Sequence, residues 1–400
     1  MTKHTEVTHL GICVVVFSAN PEAIMVNVSR LLEVLGSISS KLYLLINKIP
    51  ESYNNIKNVN VVDIKGAMPY PLKGSIRSWM SILIWIFKNI SVQARMSLAL
   101  LKISRDVQIV IFSAGRPFIL PLMLLAKTLR KKVILPAGGS TWRGYKATHP
   151  RASISLRLIK VLEQACYSIS DNIAVESKSA VSFLELERFK DKISIYGALT
   201  YIDTNLFKTK TDLKDREDII GFIGNLVSAK GVMKFVEAMP LIIAEHSNAE
   251  FVIIGDGPLS SEIRNKLENN NIQRKVKLTG LVPLNKIPDY LNDLRLLILP
   301  SDSEGLPGVI LEAMACGTPV LATPVGAIPD TIKDGETGFI LENNSPECIA
   351  RNIMRALKHP GLTKITKKAR GLIEQNYTYE TVVDNYRQIL FQLVEKVHDE

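Results

Sequence analysis

Short runs of apolar, mostly β-branched residues alternate along this chain with longer stretches whose apolar positions recur every three or four residues. The short runs read as buried strands and the longer stretches as amphipathic helices. Repeated in that order they predict βα units built around parallel sheets. In the first half, residues 10–17 (LGICVVVF) predict a strand and 21–36 a helix that Gly36 ends. Further strands are expected at 41–46, 59–64, 107–112, 132–136, 172–175 and 192–195. The second half starts the pattern again, with a strand at 218–223, a helix at 232–246, strands at 250–254, 275–279 and 295–299, and a short one at 319–322. Residues 347–358, 363–375 and 379–397 predict a helical tail, and 197–217, polar and lysine-rich, reads as a linker. No fixed-period repeat or low-complexity tract interrupts this order.

A chain of 400 residues is long for one core and comfortable for two. The expected class is α/β, with two Rossmann-like domains facing each other across a cleft. Their bounds are 1–205 and 206–378, followed by a helix at 379–400 that would pack back on the first domain. Ligands in open α/β sheets lie beyond the carboxyl ends of the strands, so the loops after strands are the places to search.

Hydrophobic residues make up 46% of the chain and charged ones 22%, which excludes a disordered protein. The net charge of +10 favours acidic partners: nucleotide phosphates, nucleic acid or an anionic membrane surface. No basic–aromatic motif supports nucleic acid, so no nucleic-acid partner is expected. Cys13, Cys166, Cys316 and Cys348 form no CxxC pair, which argues against a zinc site or a disulfide framework and suits a reducing cytoplasm. Residues 1–9 lack the basic-then-apolar order of a signal peptide. The longest apolar tract, 80–87, is far shorter than the roughly 18 residues a spanning helix needs. A cytoplasmic protein, peripheral at most on the membrane's cytoplasmic face, is expected.

The stretch 300–323 (PSDSEGLPGVILEAMACGTPVLAT) carries the most chemistry. A strand delivers the chain into a loop with Glu304 at its tip, and Gly305, Pro307 and Gly308 keep side chains out of the way before a helix begins. Backbone N–H groups in such a loop can approach a ligand, and the helix start adds positive potential for a phosphate. Glu312, eight residues after Glu304, falls in the first turns of that helix, where a carboxylate can accept bonds from a pair of sugar hydroxyls. Lys230, in 224–231 (GNLVSAKG), follows a strand and a short loop, a sensible place for a phosphate contact.

The segment resembles the E-x7-E signature of glycosyltransferase family 4, retaining enzymes of the GT-B fold that belong to glycosyl transferase group 1. Residues 251–258 (FVIIGDGP), 276–283 (VKLTGLVP) and 335–341 (GETGFIL) stand in that family's order and spacing. The resemblance covers roughly 218–386, and the first half only in outline. It implies transfer of a hexose-type sugar from a UDP- or GDP-sugar to a glycan or lipid-linked acceptor. Under it, Glu304 and Lys230 are the catalytic pair, on donor sugar and diphosphate respectively. Gly305, Leu306, Pro307 and Gly308 line the sugar and diphosphate, Glu312 holds the ribose, and Gly255 and Val282 flank the base. Asn225 stands where the family has an arginine on the diphosphate, so that clamp is weaker or is supplied elsewhere. Gly138 stands where the family has a histidine near the reacting sugar. With Gly139, Ser140 and Arg143 it forms the expected acceptor-side loop.

A retaining transfer of this kind needs no protein nucleophile, and no required cofactor or metal is expected; the nucleotide-sugar is a substrate. Residues 75–103, rich in Leu, Ile, Met and Trp with interspersed Lys and Arg, fit either ordinary core helices or a peripheral contact with an anionic membrane. Two alternatives stand beside the transferase: a nucleotide-sugar-binding homologue with weak or no catalysis, and a sugar-nucleotide epimerase of the same fold.

Overall fold

Strand and helix alternate along the chain to build two parallel sheets, one in each half. The computed structural model describes residues 10–17, 21–49, 56–64, 79–114, 119–138, 141–142, 153–195 and 201–395. In the N-terminal domain these give β1 (Gly11–Val16), α1 (Pro21–Gly36), β2 (Lys41–Ile46), β3 (Val59–Asp63), α2 (Trp79–Ile103), β4 (Ile109–Ala114) and α3 (Leu120–Thr128). They continue with β5 (Lys132–Pro136), α4 (Ser153–Ile169), β6 (Asn172–Val175), α5 (Lys178–Phe183) and β7 (Ile193–Ile195). The seven strands lie in the order β3-β2-β1-β4-β5-β6-β7. Cys13 and Val15 of β1 enter one buried cluster while Ile12, Val14 and Val16 enter another. Both faces are therefore covered, which is why the strands read as unbroken apolar runs.

The C-terminal domain comprises β8 (Ile219–Ile223), α6 (Val232–Glu245), β9 (Glu250–Ile254), α7 (Ser260–Asn269), β10 (Val276–Gly280), α8 (Ile287–Asp293) and β11 (Leu296–Leu299). It goes on with α9 (Gly308–Ala315), β12 (Val320–Ala322), α10 (Ile328–Thr331), β13 (Phe339–Ile340), α11 (Pro346–Leu357) and α12 (Leu362–Asn376). The order is β10-β9-β8-β11-β12-β13, so the sequence of strands reverses between β8 and β11. That reversal opens a crevice at their carboxyl ends. Gly231 fixes the loop there: its φ is 70°, and a Cβ would lie 2.0 Å from the Pro300 carbonyl oxygen, so only glycine lets the β8 loop rest on the end of β11.

The final helix, α13 (Tyr379–Glu395), leaves the C-terminal domain and buries Val382, Val383, Tyr386 and Leu390 among Val28, Leu32 and Leu35 of α1.

Three differences from the sequence reading have plain causes. Strand β4 starts two residues later than expected because the turn at Ser104–Asp106 takes the N–H of Val107. Strand β13, two residues long, is too short to show a period. Residues 201–217, expected as a linker, pack onto the C-terminal domain. Phe207 is fully buried, and the Arg216 guanidinium donates to the carbonyls of Thr211, Leu291, Leu294 and Cys316. Composition showed the lysines, which point outward, and hid these few anchors.

Candidate active site at the facing strand ends

Lys230 and Glu304 come from the two strands that flank the reversal, Lys230 after β8 and Glu304 after β11. Lys230 Nζ lies 2.6 Å from both Glu304 oxygens. Ser301 Oγ donates to Glu304 Oε1 at 2.7 Å, and Ser301 is held in turn by Thr323 Oγ1 on its carbonyl at 2.5 Å. Glu304 is not at the tip of its loop, as the sequence suggested: it is folded underneath and only 8% exposed. The Lys230 ammonium supplies the charge that lets a carboxylate sit there. Next to the pair, Asp302 is held by Lys234 at 2.9 Å and Asn344 at 2.7 Å.

From Glu304 the chain passes Gly305, Leu306 and Pro307 into α9. Pro307 starts that helix with no side-chain cap; Ile310 N–H turns back to the Pro307 carbonyl at 3.1 Å, and the N–H groups of Gly308 and Val309 before it are left for a ligand or solvent. Glu312 turns its carboxyl group back toward the helix start, where a Cβ on Gly308 would lie 4.0 Å from Oε1. It is 8% exposed, and Arg30 of α1 reaches it from the N-terminal domain at 3.4 Å. Burial raises the Glu312 carboxyl above its ordinary range, and the guanidinium opposes that rise.

The remaining expected residues spread outward from this centre. Asn225 is exposed in the β8 loop, its carbonyl accepting from Val227 N–H at 2.9 Å. Gly255 ends β9 and donates to the Gly280 carbonyl at 2.9 Å; Val282 follows β10, half-buried against the core. Gly138 follows β5 across the cleft, and its carbonyl oxygen would lie 1.6 Å from a Cβ on Gly305. The two backbones thus touch, and Leu306 packs against both domain cores. Gly139, Ser140 and Arg143 lie outside the described residues.

Two residues near the site escaped the sequence reading. Arg30 sits mid-helix in α1 with no local signal of a partner 282 residues away. Glu176, after β6, is 8% exposed and faces Gly305; burial and the neighbouring Glu304 push its carboxyl group up to about 8, against the N–H of Leu306. Only its place after a strand end could have drawn attention to it. Among the described residues no group of three or more His, Cys, Asp or Glu side chains could hold a metal ion.

Residues 203–378 match the family model for glycosyl transferases group 1. The chain is 29% identical to N-acetyl-alpha-D-glucosaminyl L-malate synthase of Bacillus anthracis over 56% of its own length and 60% of that protein's. It is 24% identical to the capsular polysaccharide biosynthesis glycosyltransferase CapM of Staphylococcus aureus over 54% of its own length and 55% of that protein's. The chain thus spans little more than half the length of these curated relatives. Among solved structures, sucrose-phosphate synthase from Thermosynechococcus elongatus superposes with a TM-score of 0.76 at 17% identity, over 97% of this chain and 100% of that one. Anabaena HepE, solved with UDP and glucose, gives 0.70 at 15% identity over 96% of this chain and 99% of that one. The chain has the GT-B fold: two Rossmann-like domains, each on a parallel sheet.

Proposed function

We propose that this chain is a retaining glycosyltransferase that moves a hexose-type sugar from a UDP- or GDP-sugar to a glycan or lipid-linked acceptor. The observation that supports it most is the Lys230–Glu304 pair at the strand reversal, under a glycine-bearing loop that runs into an uncapped helix start. Two N–H bonds of the Lys230 ammonium serve Glu304, which leaves a third for a phosphate oxygen. Lys230 and the first N–H groups of α9 stabilise the diphosphate as the bond from the anomeric carbon to its oxygen breaks. Glu304 orients the sugar hydroxyls, Glu312 takes the ribose, and Gly255 and Val282 flank the base. The acceptor oxygen bonds to the anomeric carbon from the side the diphosphate leaves, and its proton passes to a phosphate oxygen. No resident cofactor enters the scheme. The match of residues 203–378 supports the donor half, and the UDP bound by HepE makes uridine nucleotides the first to test.

For the acceptor, the reading favours a lipid-linked glycan. Helix α3 packs between α2 and α4, and these three expose Ile90, Leu98, Leu101, Leu124, Leu158 and Val161. The same helices carry Arg95, Lys102, Lys127, Arg157 and Lys160, of which Lys127 and Lys160 pair with Asp171 and Glu185, and a single acidic residue, the buried Glu163. Exposed apolar side chains on helices that also expose Arg95, Lys102 and Arg157 suit an anionic bilayer. Among the described residues no helix is long and apolar enough to cross one.

A thermal-shift screen of nucleoside diphosphates tests the donor assignment, since a ligand at 100 times its dissociation constant adds about 2.7 kcal/mol of stability. Glu304→Ala should then lower turnover by about 10²–10³-fold while nucleotide binding persists; undiminished turnover would refute its role. Asn225 and Gly138 carry no charge into the site, which favours a binding-only homologue as the second reading. Calorimetric nucleotide binding with no product on any acceptor would select it, and donor isomerisation without acceptor would select an epimerase.

A further inference from the structure

Glu176 is a buried carboxyl group placed where the two domains meet over the donor loop. Oε2 has no hydrogen-bond partner among the described residues. The carboxyl group faces the backbone N–H of Leu306 across the cleft, and that N–H opposes the rise that burial imposes on it. Above it, a Cβ on Gly305 would lie 2.7 Å from Oε2. The segment that follows is tied to the same domain: Ser179 N–H donates to Asp330 Oδ2 at 2.8 Å, and Ser179 Oγ donates to the Gly326 carbonyl at 3.0 Å. Gly326 is itself closely packed, since a Cβ there would lie 2.3 Å from the Glu304 carbonyl oxygen and 2.4 Å from that of Gly305. The donor loop is thus gripped from below by Glu176 and from the side by a turn that α5 anchors.

We propose that Glu176 is a positioning residue for the donor loop: from the N-terminal domain it holds Gly305 and Leu306 in place, and so sets the direction of Glu304 when the domains meet. Among the described residues, the charged and titratable groups that face it are the Glu304 carboxylate, from the loop after β11, and the Tyr377 phenol, from the end of α12, with Asp330 of α10 beside Tyr377. No ion pair with Glu176 is found among the described residues, and Lys230 is committed to Glu304. Burial pushes the carboxyl group up to about 8, so below that pH it is the neutral acid. Neutrality suits the place. An ionised Glu176 would be a charge held out of water, with the Glu304 carboxylate beside it, and the loop would loosen as that charge drew in solvent against the pull of the Leu306 N–H. This residue does its work through Glu304 and the loop backbone, not by touching the reacting atoms.

The inference rests on the proposed donor site for what the loop binds, but not for how the loop is held. Hydrogen exchange of the 304–308 segment, measured on the full chain without ligand and normalised to intrinsic rates, reads the second point alone. Glu176→Ala should lower the protection of the Leu306 amide by about tenfold, as expected for one lost net hydrogen bond. Glu176→Gln, whose amide oxygen can accept the same N–H, should restore it. Wild type should lose protection as pH rises from about 4.5 to 8 and then level off, and Glu176→Gln should not. In parallel, calorimetry with UDP and GDP should show wild-type affinity falling over that pH range and the Gln variant staying level. Wild-type protection in Glu176→Ala, or a wild-type pH response in Glu176→Gln, would overturn the inference. If the exchange results hold and neither nucleotide binds wild type, the donor reading fails and the positioning role stands.

Discussion

Lys230 and Glu304 meet in a place with little water, and each depends on the other for its partner. Lys230→Met would leave a carboxylate, 8% exposed, with Ser301 as its remaining partner. The expected cost is roughly 3 kcal/mol, at the low end for a broken buried pair because Lys230 keeps some solvent access, and a drop in Tm reads it. Lys230→Met with Glu304→Gln should recover most of that loss without recovering turnover. Glu176 gives stability a pH dependence of the opposite sense to a paired carboxylate. Its folded value of about 8 lies above the usual 4.5, so the stability its neutral form contributes is complete below about pH 4.5 and is lost as pH rises through 8. The Tm of wild type should therefore fall relative to Glu176→Gln across that window and run parallel to it above; parallel curves throughout would refute the assignment. These residues were unequally legible in the sequence. Glu304, Glu312 and Lys230 sit in motifs whose glycines and spacing announce a ligand. Glu176 and Arg30 look like ordinary surface charges until long-range packing brings Gly305 and Glu312 against them.

Among the elements, the parallel strands were readable nearly to the residue because burial on both faces leaves little but apolar side chains. Ends were less so, since local turns such as Ser104–Asp106 decide them. The loop between β11 and α9 is the element on which the chemistry turns, and its closeness to Gly138 gives a direct test. Gly305→Ala would drive a methyl group into the Gly138 carbonyl, at 1.6 Å, and into Glu176. The domains would have to part. Nucleotide binding, which draws mainly on the C-terminal domain, should change only a few-fold while turnover falls steeply; a variant with wild-type kcat would refute that contact. The face of α2, α3 and α4 makes a separate prediction. Leu98→Asp with Val161→Asp replaces side chains that are 59% and 63% exposed, so folding should be little affected. Co-sedimentation with anionic vesicles should drop, and equal sedimentation of wild type and variant would remove the membrane from the proposal.

For the whole molecule, two domains and their order could be read from the restart of the βα pattern, but not how the halves meet. That relation rests on a few long-range contacts: Arg30 on Glu312, Ser179 on Asp330 and Gly326, and Glu176 under Gly305. None leaves a periodic trace. Among the described residues two stretches of chain join the domains side by side, one at Tyr201 and Ile202 and the other between α12 and α13. The two passages are bonded to each other, Ile202 N–H donating to the Tyr377 carbonyl at 2.8 Å. Tyr201 and Tyr379, stacked edge to face with centroids 5.1 Å apart, both reach Glu33 of α1 through their hydroxyls. A body joined by two adjacent pins swings but does not slide. Any widening of the gap is a rotation about the line through those two crossings, so the lips farthest from it travel most and the admission of a bulky acceptor becomes a question of swing angle.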